Sequence, residues 1–150
     1  MSRPDRLASC TAIKTDSKIK VEANGIKAVF DNRDRCEISI VYVDCWLAGE
    51  DGLKADNVVS KPGVVDVVVE LKGKNINHAM AQVLATRARW TSTAPFSKKI
   101  GGLIVFSRSP QRSAAIDDWK VRLLKQGIWL EMNKNNQGEY KFEIFTGKKA

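Results

Sequence analysis

The sequence predicts an α/β domain: a mixed β-sheet flanked by helices. Three observations predict it. The segment Val64–Leu71 is a β-branched apolar run of the kind that forms a buried strand. Asn75–Trp90 then switches to a helical period, and Ile100–Phe106 returns to an apolar strand pattern. Strand, helix, strand in succession implies a right-handed crossover between parallel strands, while the remaining strands are joined by short turns.

The elements follow in order. Residues 1–20 are polar and weakly periodic and suit a short helix or an ordered arm. Val21–Phe30 and Glu37–Leu47 read as two strands joined by the turn-forming Asp31-Asn32-Arg33-Asp34, with a loop at Gly49–Gly52. Ala55–Ser60 and Val64–Leu71 form an antiparallel hairpin closed by Lys61-Pro62-Gly63. In the helix over 75–90, Ile76, Ala79, Met80, Val83 and Leu84 make an apolar stripe, and Asn75 or Asn77 caps the start. Ser113–Gln126 is a second amphipathic helix, with Ile116, Trp119 and Leu123 inward and Gly127 as its stop. Ile128–Met132 and Tyr140–Phe145 alternate around Lys134–Gly138 and predict a final hairpin. Trp90, Trp119 and Trp129 stand in apolar periodic contexts and are expected in the core, whereas Trp46 borders a loop.

Composition bounds the class. At 150 residues, with 43% hydrophobic and 28% charged residues, the chain is expected to be one globular domain. No apolar stretch approaches the roughly 20 residues of a membrane span, and Met1–Asp5 lacks the pattern of a secretion signal. Cys10, Cys36 and Cys45 are odd in number and form no C-x-x-C. They indicate neither a disulfide framework nor a zinc site, so a reducing cytoplasm is expected. Charge is lopsided: residues 1–75 hold 12 basic and 12 acidic side chains, residues 76–150 hold 13 and 5. A basic half beside a carboxylate cluster suits a protein that grips a polyanion; a basic surface kept for solubility is the plainer explanation.

The chemistry concentrates at the end of the valine-rich run. Glu70 and Lys72 follow it, and burying such charges costs free energy unless they are paired or bind an ion. With Ser60 paired to Val64 across the hairpin, Asp56 falls opposite Val68. Glu70 is then its diagonal neighbour on the same face, roughly 7–8 Å away. A loop one residue longer or shorter would turn Asp56 to the other face. The bare pattern acidic-x-Lys carries little weight, since it recurs at Asp16, Glu70, Asp118 and Glu139. Only Glu70-Leu71-Lys72 ends a core strand, has an upstream Asp on a paired strand and precedes a helix.

In Ala55-Asp56, Val69-Glu70-Leu71-Lys72-Gly73 and His78-Ala79…Gln82-Val83, with Val43-Asp44 upstream, the chain resembles the PD-(D/E)xK nuclease superfamily, especially its small bacterial and phage members. The likeness covers about residues 37–107 and implies a restriction-endonuclease-like fold. It implies that Asp56, Glu70 and the Leu71 carbonyl bind Mg²⁺, with Mn²⁺ as a substitute, and that Lys72 orients or deprotonates the attacking water. No Pro precedes Asp56, and no N-terminal helix bearing a further Glu is evident; Glu22 is the one candidate for that place. The implied activity is phosphodiester hydrolysis, endo- or exonucleolytic, on nucleic acid with DNA favoured, by a homodimer or the cleavage subunit of a larger complex. The alternative is a nuclease-like module that binds nucleic acid or a partner protein without cutting.

Outside the triple, Asn75, His78, Gln82 and Arg89 share one polar helix stripe. Gln82 is a candidate catalytic residue that reaches a metal-bound water or a phosphate, against the simpler role of a solvated face. His78 is expected to be solvated, and Asp44 to be structural. Lys98, Lys99, Arg108 and Arg112 are the candidate phosphate contacts, with Lys148 and Lys149 as further ones.

Overall fold

The computed structural model describes residues 3–71, 75–93, 95–107, 114–134 and 138–147. Elements follow the chain as α1 (Arg3–Ser9), β1 (Thr11–Lys14), β2 (Lys18–Ala23), β3 (Ile26–Asp31), β4 (Ile38–Tyr42), α2 (Val43–Trp46), β5 (Asn57–Lys61), β6 (Val65–Leu71), α3 (Ile76–Thr93), β7 (Ile100–Phe106), α4 (Ala114–Lys125), β8 (Ile128–Lys134) and β9 (Glu139–Lys141). A 3₁₀ turn, Phe142–Thr146, follows β9. A six-stranded sheet runs β1-β4-β5-β6-β7-β8, and a three-stranded sheet runs β2-β3-β9. The α/β mixed-sheet expectation holds: β1, β4, β5 and β6 pair antiparallel, whereas β6, β7 and β8 pair parallel.

The large sheet separates two cores. On one face Val58 and Val68 pack with Val43 and Trp46 of α2, Met80, Val83 and Trp90 of α3, and Leu123 of α4. On the other, Val59, Val67 and Val69 pack against the small sheet through Ile19, Val21 and Phe30, and against Phe142 and Phe145 of the 3₁₀ turn. Two covered faces explain why β6 and β7 read as unbroken apolar runs, since every residue of both is buried. At roughly 1.5–3 kcal/mol per fully buried large apolar side chain, this double layer supplies most of the drive to fold.

Several expectations are corrected. Val21–Phe30 is two strands, because Asn24 and Gly25 take φ of 55° and 77° and form the primed turn that closes the β2–β3 hairpin. The strand expected over Glu37–Leu47 ends at Tyr42; the Val43 N–H donates to the Asp56 carbonyl (3.2 Å) and the chain turns into α2, burying Val43 and Trp46. The final hairpin does not form. The α4 crossover delivers β8 parallel to β7, and β9 instead pairs parallel with β3. Phe142 and Phe145 leave strand conformation for a 3₁₀ turn, where Phe142 stacks on Phe30 at 5.0 Å between ring centroids.

Trp129 is not a core residue: it alternates outward between the buried Ile128 and Leu130 on the edge strand β8, and its indole N–H donates to Glu131 Oε1 at 2.7 Å. Trp90, by contrast, is fully buried and lies edge-on to both Trp46 and Phe96. Cys10 and Cys45 form a disulfide with their Cα atoms 5.6 Å apart, contrary to the reading from cysteine number. An odd count with no close spacing cannot exclude a pair that tertiary structure assembles, and here α1 packs on α2. Cys36 stays a free thiol.

Candidate active site

The turn between β5 and β6 sets the register. Pro62 and Gly63 occupy its two central positions, with Gly63 at φ 83°, and the Val64 N–H donates to the Lys61 carbonyl at 2.9 Å. That is the geometry a Pro-Gly pair favours. Lys61 therefore stays in the strand and pairs with Val65, and Asn57 pairs with Val69. The ladder lies two residues from the expected one. Because side chains alternate with period two, Glu70 shares its face with Asp66 and Val68, and the ladder ends at Asn57–Val69 with Asp56 just beyond it.

The face is that of α3. Asp66, two turns of the pleat before Glu70, receives the Trp90 indole N–H at 2.8 Å, and Val68 between them packs in the α3 core. Glu70 is thus directed beneath the start of α3 and is only 4% exposed. Asp56 is half-buried at the mouth of β5. Its backbone N–H donates to the Val69 carbonyl (3.0 Å), and its Oδ2 accepts the Leu71 N–H (2.7 Å). The carboxylate therefore sits against the peptide that joins Glu70 to Leu71. In an extended strand the N–H and C=O of one residue point to the same side, so the Leu71 carbonyl also faces the Asp56 side of β6.

A cleft of about 300 Å³ opens beside this point. Lys20, Glu22 and Ala23 of β2, Tyr42, Asp44 of α2, Asp56 and Asn57 line it. Glu22, the candidate for the further carboxylate, does reach the site, though from a strand of the small sheet and not from a helix; it is bridged to Lys20 at 3.1 Å. Asp44 lines the same cleft and is exposed.

The approach to Asp56 is held by α3. Gln82 Nε2 donates to the Lys54 carbonyl at 3.0 Å, Thr86 Oγ1 accepts the Ala55 N–H at 2.7 Å, and Arg89 donates to the carbonyls of Leu53 (2.8 Å) and Asp51 (2.7 Å). Residues 82, 86 and 89 share one helix face at offsets of four and seven. Gln82 thus spends its amide N–H on the loop that carries Asp56. Thr86 and the structural role of Asp66 are what sequence reading missed. Thr86 belongs to the polar stripe already singled out, and its helical offset from Gln82 was the available signal. Asp66 is fully buried, with Ser60 Oγ (2.5 Å), Trp90 Nε1 (2.8 Å), and the N–H groups of Phe96 (2.9 Å) and Ser97 (3.1 Å) on its carboxylate. It ties β5, β6, α3 and the loop into β7 together.

Asn75 caps α3 as expected, accepting the His78 N–H at 3.2 Å, and His78 itself is exposed. Lys98 and Lys99 lie at the far pole of the sheet, on a concavity of about 790 Å³ with Gly63, Phe96 and Thr146. Asp66 pairs with Ile100 and lies four residues, about 13 Å, along β6 from Glu70, so these lysines are beyond the reach of the Asp56 cleft. Lys72, Arg108, Arg112, Lys148 and Lys149 lie outside the described residues.

Asp56, Glu70 and the Leu71 carbonyl offer only hard oxygen donors. That set fits Mg²⁺ or Mn²⁺, which take one or two protein carboxylates with waters and substrate oxygens completing the shell. Among the described residues no group of three or more His, Cys, Asp or Glu side chains converges in ligating geometry, and no helix is long and apolar enough to cross a membrane. No known protein family, curated protein or solved structure matches this chain.

Proposed function

We propose that this chain is a Mg²⁺-dependent nuclease that hydrolyses phosphodiester bonds, DNA being the favoured substrate, with Mn²⁺ able to substitute. The single observation that supports it most is the seating of the Asp56 carboxylate on the Glu70–Leu71 peptide, at the end of a strand whose next residues are Lys72 and Gly73. A divalent ion bound there would polarise a phosphoryl oxygen and lower the pKa of a bound water. Asp56, Glu70 and the Leu71 carbonyl would hold the ion, and Lys72 would orient the attacking water or accept its proton. Gln82, Thr86 and Arg89 position Asp56 by fixing its loop. Lys98 and Lys99 supply phosphate contacts away from the reacting bond, and Arg108 and Arg112 are further candidate phosphate contacts. The resemblance to the PD-(D/E)xK superfamily and work as a homodimer or a cleavage subunit belong to the same reading.

The test is a cleavage assay with Mg²⁺ or Mn²⁺ over linear, nicked, branched and single-stranded substrates. Wild type should cut at least one, and Glu70→Gln and Lys72→Ala should not, while both variants retain the wild-type circular dichroism spectrum. Binding without cleavage by wild type on every substrate favours the non-catalytic module instead.

A further inference from the structure

The outward side of α4 carries a pattern that its own fold does not use. Trp119 and Leu123 pack into the core, with Leu123 fully buried. At 100° per residue the opposite face is centred on Val121, flanked along one row by Asp117 and Lys125 and beside it by Leu124. Val121 is 53% exposed and Leu124 is 55% exposed, although both are large apolar side chains. Asp117 and Asp118 occupy the start of the helix, Arg122 and Lys125 its end, and all four are exposed.

That order of charges is self-complementary. Two α4 helices packed antiparallel about a two-fold axis through Val121 bring each Asp117 onto Lys125 of the second copy, and each Asp118 beside Leu124 of the second copy. Val121 meets itself at the centre, with an ion pair about 6 Å along the helix on either side. Acidic residues at a helix start and basic ones at its end also suit the helix dipole. The dipole accounts for those signs but not for an exposed valine and leucine set between them. Such closure, in which one patch meets its own copy, is the usual geometry of a homodimer.

We propose that this face of α4 is the surface through which two copies of the chain associate. The proposal does not depend on the catalytic reading. A contact built on one short helix pair falls at the small end of interface sizes, so the dimer is weak and concentration-dependent.

Sedimentation velocity from about 1 to 200 μM, a range that spans weak association, tests it. Wild type should pass from monomer to dimer across this range, and Val121→Glu should remain monomeric with an unchanged circular dichroism spectrum and melting temperature. Asp117→Lys and Lys125→Asp should each weaken association by about tenfold or more, as expected when like charges meet across an interface. The double variant Asp117→Lys/Lys125→Asp should restore it, even though both changes oppose the helix dipole. A wild type that stays monomeric throughout overturns the proposal, as does a dimer that survives Val121→Glu or a double variant no better than the single ones.

Discussion

The Asp56 carboxylate accepts the backbone N–H of Leu71 at 2.7 Å, so an acidic side chain from the mouth of β5 closes the last rung of its ladder with β6. One oxygen of that group supports the backbone, and a carboxylate has acceptor sites to spare for a cation. Asparagine can keep the first role through its carbonyl oxygen but loses the charge needed for the second. Asp56→Asn should therefore hold stability within about 0.5 kcal/mol of wild type and remove any rise in melting temperature produced by Mg²⁺ or Mn²⁺. Asp118→Asn and Glu139→Gln, which alter other acidic-x-Lys sequences, should keep that rise. Melting curves of the four proteins with and without metal check this, and an equal metal response in Asp56→Asn would remove Asp56 from the site.

Asp66 should be the most sensitive acidic position for folding. Its removal leaves the Trp90 indole and the Phe96 and Ser97 N–H groups without their acceptor inside the protein. Asp66→Ala is expected to cost about 3–5 kcal/mol, in the range for breaking a buried charged network. Urea unfolding measures it. A loss below about 1 kcal/mol would mean that these donors find water.

Thr86→Val tests the clamp on the Asp56 loop. Valine preserves the volume but leaves the Ala55 N–H without its buried acceptor, a cost of about 1–3 kcal/mol. If positioning matters for turnover, kcat should fall more than the affinity for nucleic acid does, and Thr86→Ser should recover most of the loss. Equal losses in kcat and binding would mark Thr86 as structural only.

Lys61 and Glu143 give a pH signature. Their side chains meet at 3.0 Å and join β5 to the 3₁₀ turn. The hydrogen bond with Glu143 raises the Lys61 pKa, with burial opposing it. Burial pushes the Glu143 carboxyl up, but its own backbone N–H and Lys61 outweigh this and hold it below its ordinary value. A lowered acid stabilises above its unfolded pKa and loses that contribution as pH falls through the folded value. A raised amine stabilises below its unfolded pKa and loses that contribution as pH rises through the folded one. The stability difference between wild type and Glu143→Gln should thus be flat from about pH 5 to 10 and shrink at either extreme. Glu143 is half-exposed, so the plateau should stay under about 1 kcal/mol. Thermal melts across pH measure it.

The Cys10–Cys45 bond should be detectable by counting thiols. Denatured oxidised protein should show one reactive thiol, and reduced protein three. The bond closes a loop with a sequence separation of 35 residues, for which the chain-entropy account gives about 4 kcal/mol. Reduction, or Cys45→Ser, should lower the melting temperature by about 10 °C. Three thiols in protein purified without reductant would contradict the pairing.

Periodic elements were legible in the sequence, and long-range partners were not. The α3 helix and its Asn75 cap, the α4 helix and its Gly127 stop, and the β6–α3–β7 crossover all follow from local pattern. The Asn24-Gly25 turn was equally local but lay inside a run that alternates well as one strand. β9 depends on Phe30, more than a hundred residues away, and no neighbouring residue signals it. For the candidate site, the hairpin was legible but its register was not: the Pro62-Gly63 turn shifts the pairing by two residues and leaves Asp56 just beyond the last pair, Asn57–Val69. Glu22 and Asp44 reach the Asp56 cleft only because the small sheet and α2 are folded against the same end. The distance of Lys98 and Lys99 from it follows from strand direction, which sequence spacing does not encode.

The pairing of β3 with β9 has a consequence for how the protein emerges during synthesis. Val29 pairs with Glu139 and Phe30 with Tyr140, so the small sheet is incomplete until residue 141 has left the ribosome. Until then the β2–β3 hairpin presents Ile19, Val21 and Phe30 with neither its third strand nor the Phe142–Thr146 turn to cover them. A nascent chain in that condition exposes a sticky strand edge and an aromatic surface. Chaperone demand during translation should therefore peak late and fall abruptly once β9 docks.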